Sequence, residues 1–398
     1  MTMQADYDVI VVGGGPSGAT AAHDLARAGH RVMLLDKAGR IKPCGGAVPP
    51  QLLKEFDIPH SLLVARAKSA RIIAPSNRKV VMPVGEEGFV GMVDREHFDE
   101  WLRERAASAG AVRVTGRCEE VDDSKPIVTL TYRRDRNAEP ETVTARSVIG
   151  ADGARSAVAR QCIAGADRVP CVFAYHEIVE VPDMIREDYD PTRCDVYYQG
   201  HLSPDFYAWI FPHGKQASIG LGSADKGFAL RDATRVLRAE VGLAHWKTIR
   251  TEGAPIPLKP LKRWDNGRNV LVAGDAAGVV APSSGEGIYY AMTAGRNSAD
   301  AVAAFLASGD ARALRMARKR FMKAHGRVFW ILGIMQYFWY SSDARRERFV
   351  SMCADPDVQR LTWQAYMHKK LPRRDPMAHV RIFFKDLGHL FGLRAAQS

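Results

Sequence analysis

No C-x-x-C pair occurs in this chain, and its cysteines (Cys44, Cys118, Cys162, Cys171, Cys194 and Cys353) are scattered without metal-ligand spacing. That usage argues against a structural zinc site and fits a reducing, cytosolic compartment. The first residues, Met1 to Asp8, lack a basic segment followed by an apolar one, so no secretory signal is expected. No uninterrupted apolar stretch reaches the length that spans a bilayer. Acidic residues are also in deficit: 56 Lys and Arg stand against 45 Asp and Glu, a formal net charge of +11. Nothing resembling a nucleic-acid-binding module accompanies this charge, so nucleic acid is not the expected partner. A basic surface instead suits an anionic membrane or a pyrophosphate-bearing substrate. What remains is ordinary globular material. The 398 residues are 46% hydrophobic, enough for two or three packed domains.

The most informative stretch is Val9 to Asp36. Val9 to Val12 is a short β-branched run suited to a buried parallel strand, and it feeds directly into Gly13, Gly15 and Gly18 at G-x-G-x-x-G spacing. Gly13 allows the tight turn off the strand, Gly15 lets a pyrophosphate approach the backbone, and Gly18 permits close packing of the following helix. That helix opens with Pro16 and Ser17 and offers its unpaired N–H groups to phosphate. Arg31 to Leu35 reads as a second strand ending in Asp36, whose carboxylate is placed for an adenosine ribose. An acid there disfavours a 2′-phosphate, so FAD or NAD is expected at this place and NADP is not.

Beyond Asp36, the loop from Lys37 through Pro43, Cys44, Gly45 and Gly46 is basic and glycine-containing, with backbone freedom for close passage along a flat cofactor. Cys44 fits three roles on chemistry alone: small filler, redox thiol or catalytic group. Residues 67–93 alternate in polarity and predict short antiparallel strands. Asp94 reads as the N-cap of a helix burying Phe98, Trp101 and Leu102. Arg95, on the unfavourable side of that helix dipole, suits a phosphate or flavin contact or a solvent salt bridge.

Two further acids stand in glycine turns at predicted strand ends, the ligand edge of an open α/β sheet. Asp152 follows the strand Ser147 to Gly150. Asp275, flanked by Gly274, follows Asn269 to Ala273 and precedes Gly285, Gly287 and Ile288 at the start of an alanine-rich helix. Between these turns the pattern changes to longer strands. On one of them, Tyr207, Trp209 and Phe211 share a face by the two-residue period, either as plain core or as the wall of an apolar slot.

After Gly309 a basic helix leads into Val328 to Tyr340, which is apolar on nearly every side and too short to cross a bilayer. It suits interfacial attachment, the end of a lipid pocket, or a buried bundle helix. A basic, aromatic tail from Lys369 to Leu393 is expected on the same surface.

The dinucleotide fingerprint, the Gly150-Ala151-Asp152-Gly153 turn and the Gly274-Asp275-Ala276-Ala277-Gly278 turn, in this order, resemble the two-domain flavoproteins that include aromatic hydroxylases. The finer pattern resembles geranylgeranyl reductases, through Pro43-Cys44-Gly45-Gly46, Tyr207-x-Trp209-x-Phe211-Pro212, and the run from Gly274 through Pro282 to Ile288. The likeness covers almost the whole chain and is strongest to the chlorophyll and bacteriochlorophyll branch.

That resemblance implies an α/β fold: a Rossmann-like FAD domain in a p-hydroxybenzoate-hydroxylase-like architecture, an α+β second domain and a helical C-terminal region. The expected FAD domain comprises residues 1–66, 94–165 and 265–310, the substrate sheet 67–93 and 166–264, and the helical region 311–398. The implied activity is FAD-dependent saturation of three double bonds of a geranylgeranyl chain to phytyl with NADPH, on geranylgeranyl bacteriochlorophyll or geranylgeranyl diphosphate. By family likeness Gly13, Gly15, Pro16, Ser17, Gly18, Asp36 and Lys37 hold the ADP half of FAD. Arg95, Asp152, Gly274, Asp275, Gly285, Gly287 and Ile288 complete its site, and Cys44 and Gly45 lie beside the ring. Gly46, Tyr207, Trp209 and Phe211 would line the prenyl site, with Cys44, Tyr207 and Trp209 as the catalytic candidates. No metal is implied. A membrane-bound pigment synthase and peripheral contact with the inner face of a photosynthetic membrane are the expected partner and location. The rival reading is an FAD monooxygenase of an aromatic or polyprenoid compound.

Overall fold

Val9, Ile10 and Val11 are fully buried in strand Tyr7–Val12, which is central in a parallel sheet and has a parallel partner on each side. Val9 stands opposite Val32 of strand Val32–Asp36 and opposite Ser147 of strand Glu141–Gly150. A strand so placed has no solvent face, which is why its sequence reads as an apolar run and does not alternate. Strand Val112–Thr115 extends the sheet beyond Val32–Asp36, and Val270–Val272 joins Glu141–Gly150 in parallel register. Strands Val128–Arg133 and Arg117–Asp122 complete the seven-stranded sheet as an antiparallel ribbon. Parallel alignment brings the carboxyl ends of four strands, at Val12, Asp36, Gly150 and Val272, to one edge. The acid and glycine turns of the sequence therefore share that edge.

The computed structural model describes residues 4–369 except 38, 40, 186 and 187, and only the backbone of Glu87. The expected tail from Lys369 to Leu393 lies, after its first residue, outside the described residues.

The chain divides into two units. The first comprises Met1–Cys44, Asp94–Phe173 and Gly253–Ile334, and it contains the parallel sheet. Helices Pro16–Arg27 and Ile288–Ser308 pack closely in it, since Gly295 meets the backbone of Ser17 where a β-carbon would overlap the Ser17 carbonyl. Helix Arg95–Ser108 also packs on Pro16–Arg27 and buries Phe98 and Leu102. Asp94 caps it by accepting from the Glu96 N–H at 2.9 Å.

The second unit comprises Gly45–Val93, Ala174–Glu252 and Met335–Ser398. Its main sheet holds strands Ser69–Ile73, Lys79–Pro83, Arg193–Tyr197, Ala208–His213 and Gln216–Ser223. One face of it carries a core of Tyr197, Ala208, Ile210, Ile219 and Leu221 that is completed by Leu237 of helix Leu230–Glu240. Strand period two then sends Trp209 and Phe211 to the opposite face. Helix Asp343–Met352 is tied in by Arg346, whose buried guanidinium donates to the carbonyls of Ser203, Pro204 and Tyr340.

Candidate active site and cofactor cradle

The glycine turn of the first unit is shaped by sterics. Gly13 has φ +105°, and a β-carbon on it would overlap the Ala151 carbonyl. Gly18 meets the Gly13 carbonyl so closely that no side chain fits between helix and strand. Gly15 differs from both, since a β-carbon on it would enter open space. It is the N-cap of helix Pro16–Arg27, which has no side-chain cap and no acid in its first turn. Beside it Ser17, 5% exposed, points a buried hydroxyl without a hydrogen-bond partner. Helix Ile288–Ser308 starts in the same way, with Gly287 as N-cap and neither side-chain cap nor first-turn acid. Two helix N-termini without side-chain caps at the carboxyl edge of a parallel sheet, and an orphan hydroxyl next to one of them, form a cradle for phosphate. The residues present fit FAD.

Two of the three acids at this edge, Asp36 and Asp275, are held by basic partners that no spacing in the sequence announced. Asp36 pairs with Arg103 of helix Arg95–Ser108 at 3.3 Å, and the same Arg103 nitrogen donates to the Gly14 carbonyl at 3.3 Å. Asp275 is nearly buried and forms an ion pair with Lys42 of the loop after Asp36. Asp152 is turned inward. Its carboxylate accepts from the Ser156 hydroxyl and from the Ala157 N–H at 2.6 Å, fixing the turn into helix Ala157–Cys162. Burial drives its pKa up against those bonds. Lys37 is exposed just beyond the strand end, whereas Pro16 and Ile288 are buried in the first turns of their helices. Gly274 has φ +64° and lies against Ser17, and Gly285 turns at φ +66°.

Arg95 is buried, and its guanidinium grips Asp99 in a two-pronged bond at 2.8 and 2.6 Å. Burial opposes its charge, but Asp99 and then Cys44, which is also hydrogen-bonded to it, outweigh that cost and hold its pKa above the ordinary arginine value. The loop cysteine thus rests on a fixed cation.

In the second unit the aromatic face forms a row. Tyr207 and Trp209 ring centroids are 5.9 Å apart and those of Trp209 and Phe211 are 6.1 Å apart. Phe206 stacks on Tyr207 at 4.3 Å. Gly45 lies against the edge of the Phe211 ring, 2.9 Å from where its β-carbon would be, and Gly46 turns at φ +72° against the Val93 carbonyl and His213.

Behind this row runs a polar chain that sequence reasoning missed. Trp209 Nε1–H donates to Ser218 Oγ at 3.1 Å, Ser218 Oγ lies 2.9 Å from His176 Nδ1, and His176 Nε2 lies 2.9 Å from Glu252. An indole N–H can only donate. With a neutral imidazole, the Ser218 proton then goes to Nδ1 and the Nε2 proton to the carboxylate. Arg250 closes the chain on Glu252 at 2.9 Å.

Among the described residues, no group of three or more His, Cys, Asp or Glu is placed to hold a metal ion, and no helix is long and apolar enough to cross a membrane.

Residues 7–182 match the family model described as pyridine nucleotide-disulphide oxidoreductase, and residues 229–385 match the one described as lycopene cyclase protein. The chain is 56% identical to a geranylgeranyl diphosphate reductase of Rhodobacter capsulatus, over 97% of this chain and 98% of that protein. It is 36% identical to the chloroplastic geranylgeranyl diphosphate reductase of Oryza sativa, over 96% of this chain and 86% of that one.

The chain belongs to the geranylgeranyl reductase family.

Membership makes it an FAD-dependent oxidoreductase. The family also has an archaeal branch, represented by a digeranylgeranylglycerophospholipid reductase of Methanocaldococcus jannaschii that is 33% identical over 73% of this chain and 75% of its own. Among solved structures, a geranylgeranyl bacteriochlorophyll reductase-like protein from Thermoplasma acidophilum matches with TM-score 0.78 at 24% identity, over 94% of this chain and 99% of that one. A p-nitrophenol 4-monooxygenase from Pseudomonas putida matches with TM-score 0.72 at 17% identity, over 93% of this chain and its full length. These likenesses show that the chain shares its fold with both proteins.

Proposed function

We infer that this protein hydrogenates the isolated double bonds of a geranylgeranyl chain to give phytyl, with NADPH as reductant. The observation that carries the reading is the ring row of Tyr207, just before strand Ala208–His213, with Trp209 and Phe211 on one face of that strand, in a chain of this family whose other unit holds a phosphate cradle. Gly13, Gly15, Ser17, Gly18 and Asp36 would hold the ADP half of FAD, and Asp275, positioned by Lys42, its ribityl side. FAD, when bound and reduced, supplies hydride.

An isolated trisubstituted alkene accepts hydride poorly, so a proton must reach one carbon as positive charge grows on the more substituted one. A wall of rings stabilises that charge through their electron-rich faces and excludes water that would capture it. Trp209 is central to the row, and its anchored N–H keeps the ring in one orientation. Cys44, held on Arg95, and Tyr207 are the proton donors proposed here, and Gly45, lacking a side chain, lets the loop pack against the edge of Phe211.

The pigment-bound chain, geranylgeranyl bacteriochlorophyll, is the preferred substrate, delivered by a membrane-bound pigment synthase on the cytoplasmic side of a photosynthetic membrane. The test is anaerobic turnover of the FAD-loaded protein with NADPH on the pigment ester and on free geranylgeranyl diphosphate, followed by mass spectrometry. Stepwise gains of H2 on the ester support this reading. Gains only on the diphosphate move the enzyme to precursor supply. Product that forms only with oxygen and carries an added oxygen atom refutes reduction altogether.

A further inference from the structure

Helix Arg315–Trp339 contains no Asp or Glu, and its cations, Arg315, Arg318, Lys319, Arg320, Lys323 and Arg327, all fall in its first half. A helix N-terminus carries partial positive charge, so this placement works against the helix's own stability. Two of the cations are used internally: Arg318 donates to the Leu261 carbonyl at 2.9 Å, and Arg320 pairs with Asp300 at 2.8 Å. Lys319, Lys323 and Arg327 are exposed. So are Trp330 at 68% and Ile334 at 48%. At about 100° per residue these five positions fall within an arc of about 80°, a stripe about 23 Å long that is cationic at one end and aromatic and aliphatic at the other. The opposite face is spent on packing, where Phe321 and Phe329 are buried against Tyr290.

We propose that this stripe is a membrane-docking face that binds anionic phospholipid. Charge complementarity selects the occupant. A second copy of the chain would set the stripe against itself and bring no anion to its cations. A bilayer surface with anionic headgroups supplies counter-charge for Lys319, Lys323 and Arg327 and an interfacial layer where Trp and Tyr rings reside. Docking is peripheral and adsorptive, with Trp330 and Ile334 entering the headgroup boundary. It bears on where the proposed reduction takes place but is read without turnover, so its failure and the failure of the reductase reading are separate results.

The test is co-sedimentation of the full-length, FAD-loaded protein with vesicles of phosphatidylcholine alone or of phosphatidylcholine mixed with phosphatidylglycerol. The expected result is binding to the mixed vesicles that weakens as salt rises. Lys319→Ala and Lys323→Ala should each lower partitioning about fivefold, and Trp330→Ser by about tenfold. Circular dichroism and flavin content should remain unchanged. Quenching of Trp fluorescence by brominated lipid should disappear in the Trp330→Ser protein. Three results would overturn the proposal: no binding to either vesicle, binding indifferent to these substitutions, or dissociation of a self-associated species by Trp330→Ser with lipid binding intact.

Discussion

Gly220 lies beneath the indole of Trp209, and a β-carbon on it would fall 2.6 Å from Trp209 Cζ2 while also overlapping the His176 side chain. The ring can come this close to its neighbouring strand only because that residue has no side chain. Gly220→Ala should lift the indole out of the row. We expect turnover of the prenyl substrate to fall by at least about tenfold, the size of a modest loss of positioning, with FAD affinity unchanged. Steady-state kinetics and a flavin titration would check this, and an unchanged rate would mean that the ring's position does not matter.

Ser218 is fully buried between an indole N–H and an imidazole nitrogen. Ser218→Ala strands both and should cost about 1–3 kcal/mol of stability. Trp209→Phe, which keeps a ring and gives up the anchor, should be milder in stability but lower in kcat than wild type. Thermal melts and initial rates separate the two effects.

Gly15 and Gly18 should respond oppositely to the same substitution. Gly15→Ala places a methyl in open space, so the apoprotein's melting temperature should hold while its affinity for FAD drops about tenfold or more. Gly18→Ala forces helix and strand apart at the Gly13 carbonyl, so the apoprotein itself should lose several kcal/mol. Calorimetry of the apoproteins together with flavin titrations would show the crossover.

Acid should loosen the first unit at its opening strand. Asp6 accepts from the Thr144 hydroxyl at 2.7 Å and from its N–H at 2.9 Å, and those bonds hold its pKa below the ordinary 3.8. Asp8 is lowered as well, because bonds from Arg31 outweigh its partial burial. A carboxylate with a depressed folded pKa contributes stability above its unfolded pKa and loses it as pH falls through the folded one. Stability should therefore decline below about pH 4, and Asp6→Asn should flatten that slope, as measured by urea midpoints across the acid range.

Much of the cradle was legible because strand, glycine turn and helix follow each other in the chain, and parallel pairing puts successive strand ends on one edge. The aromatic row was legible for a similar reason, since period two is a local property. The partners were not. Lys42 with Asp275 and Arg103 with Asp36 meet across long sequence separations, and a basic residue in a basic chain carries no mark of its target. Asp152 could have been read more closely: Ser156 and a helix start follow it at the spacing of a local turn, and that turn takes up its carboxylate. Arg95 shows tertiary context overriding a local rule, because burial against Asp99 and Cys44 offsets its poor place in the helix dipole. His176 and Glu252 gave no signal, as a buried polar chain forms only when separate strands are laid side by side.

Two helices of the first unit begin without a side chain to close their N-termini. Flavin held at those ends would bind the native chain alone. The folded fraction therefore rises with the free flavin concentration as it would for any ligand that binds only the native state. A cell short of riboflavin would lose this enzyme first through proteolytic clearance of unfilled chains, so its abundance would report cofactor supply as well as gene expression.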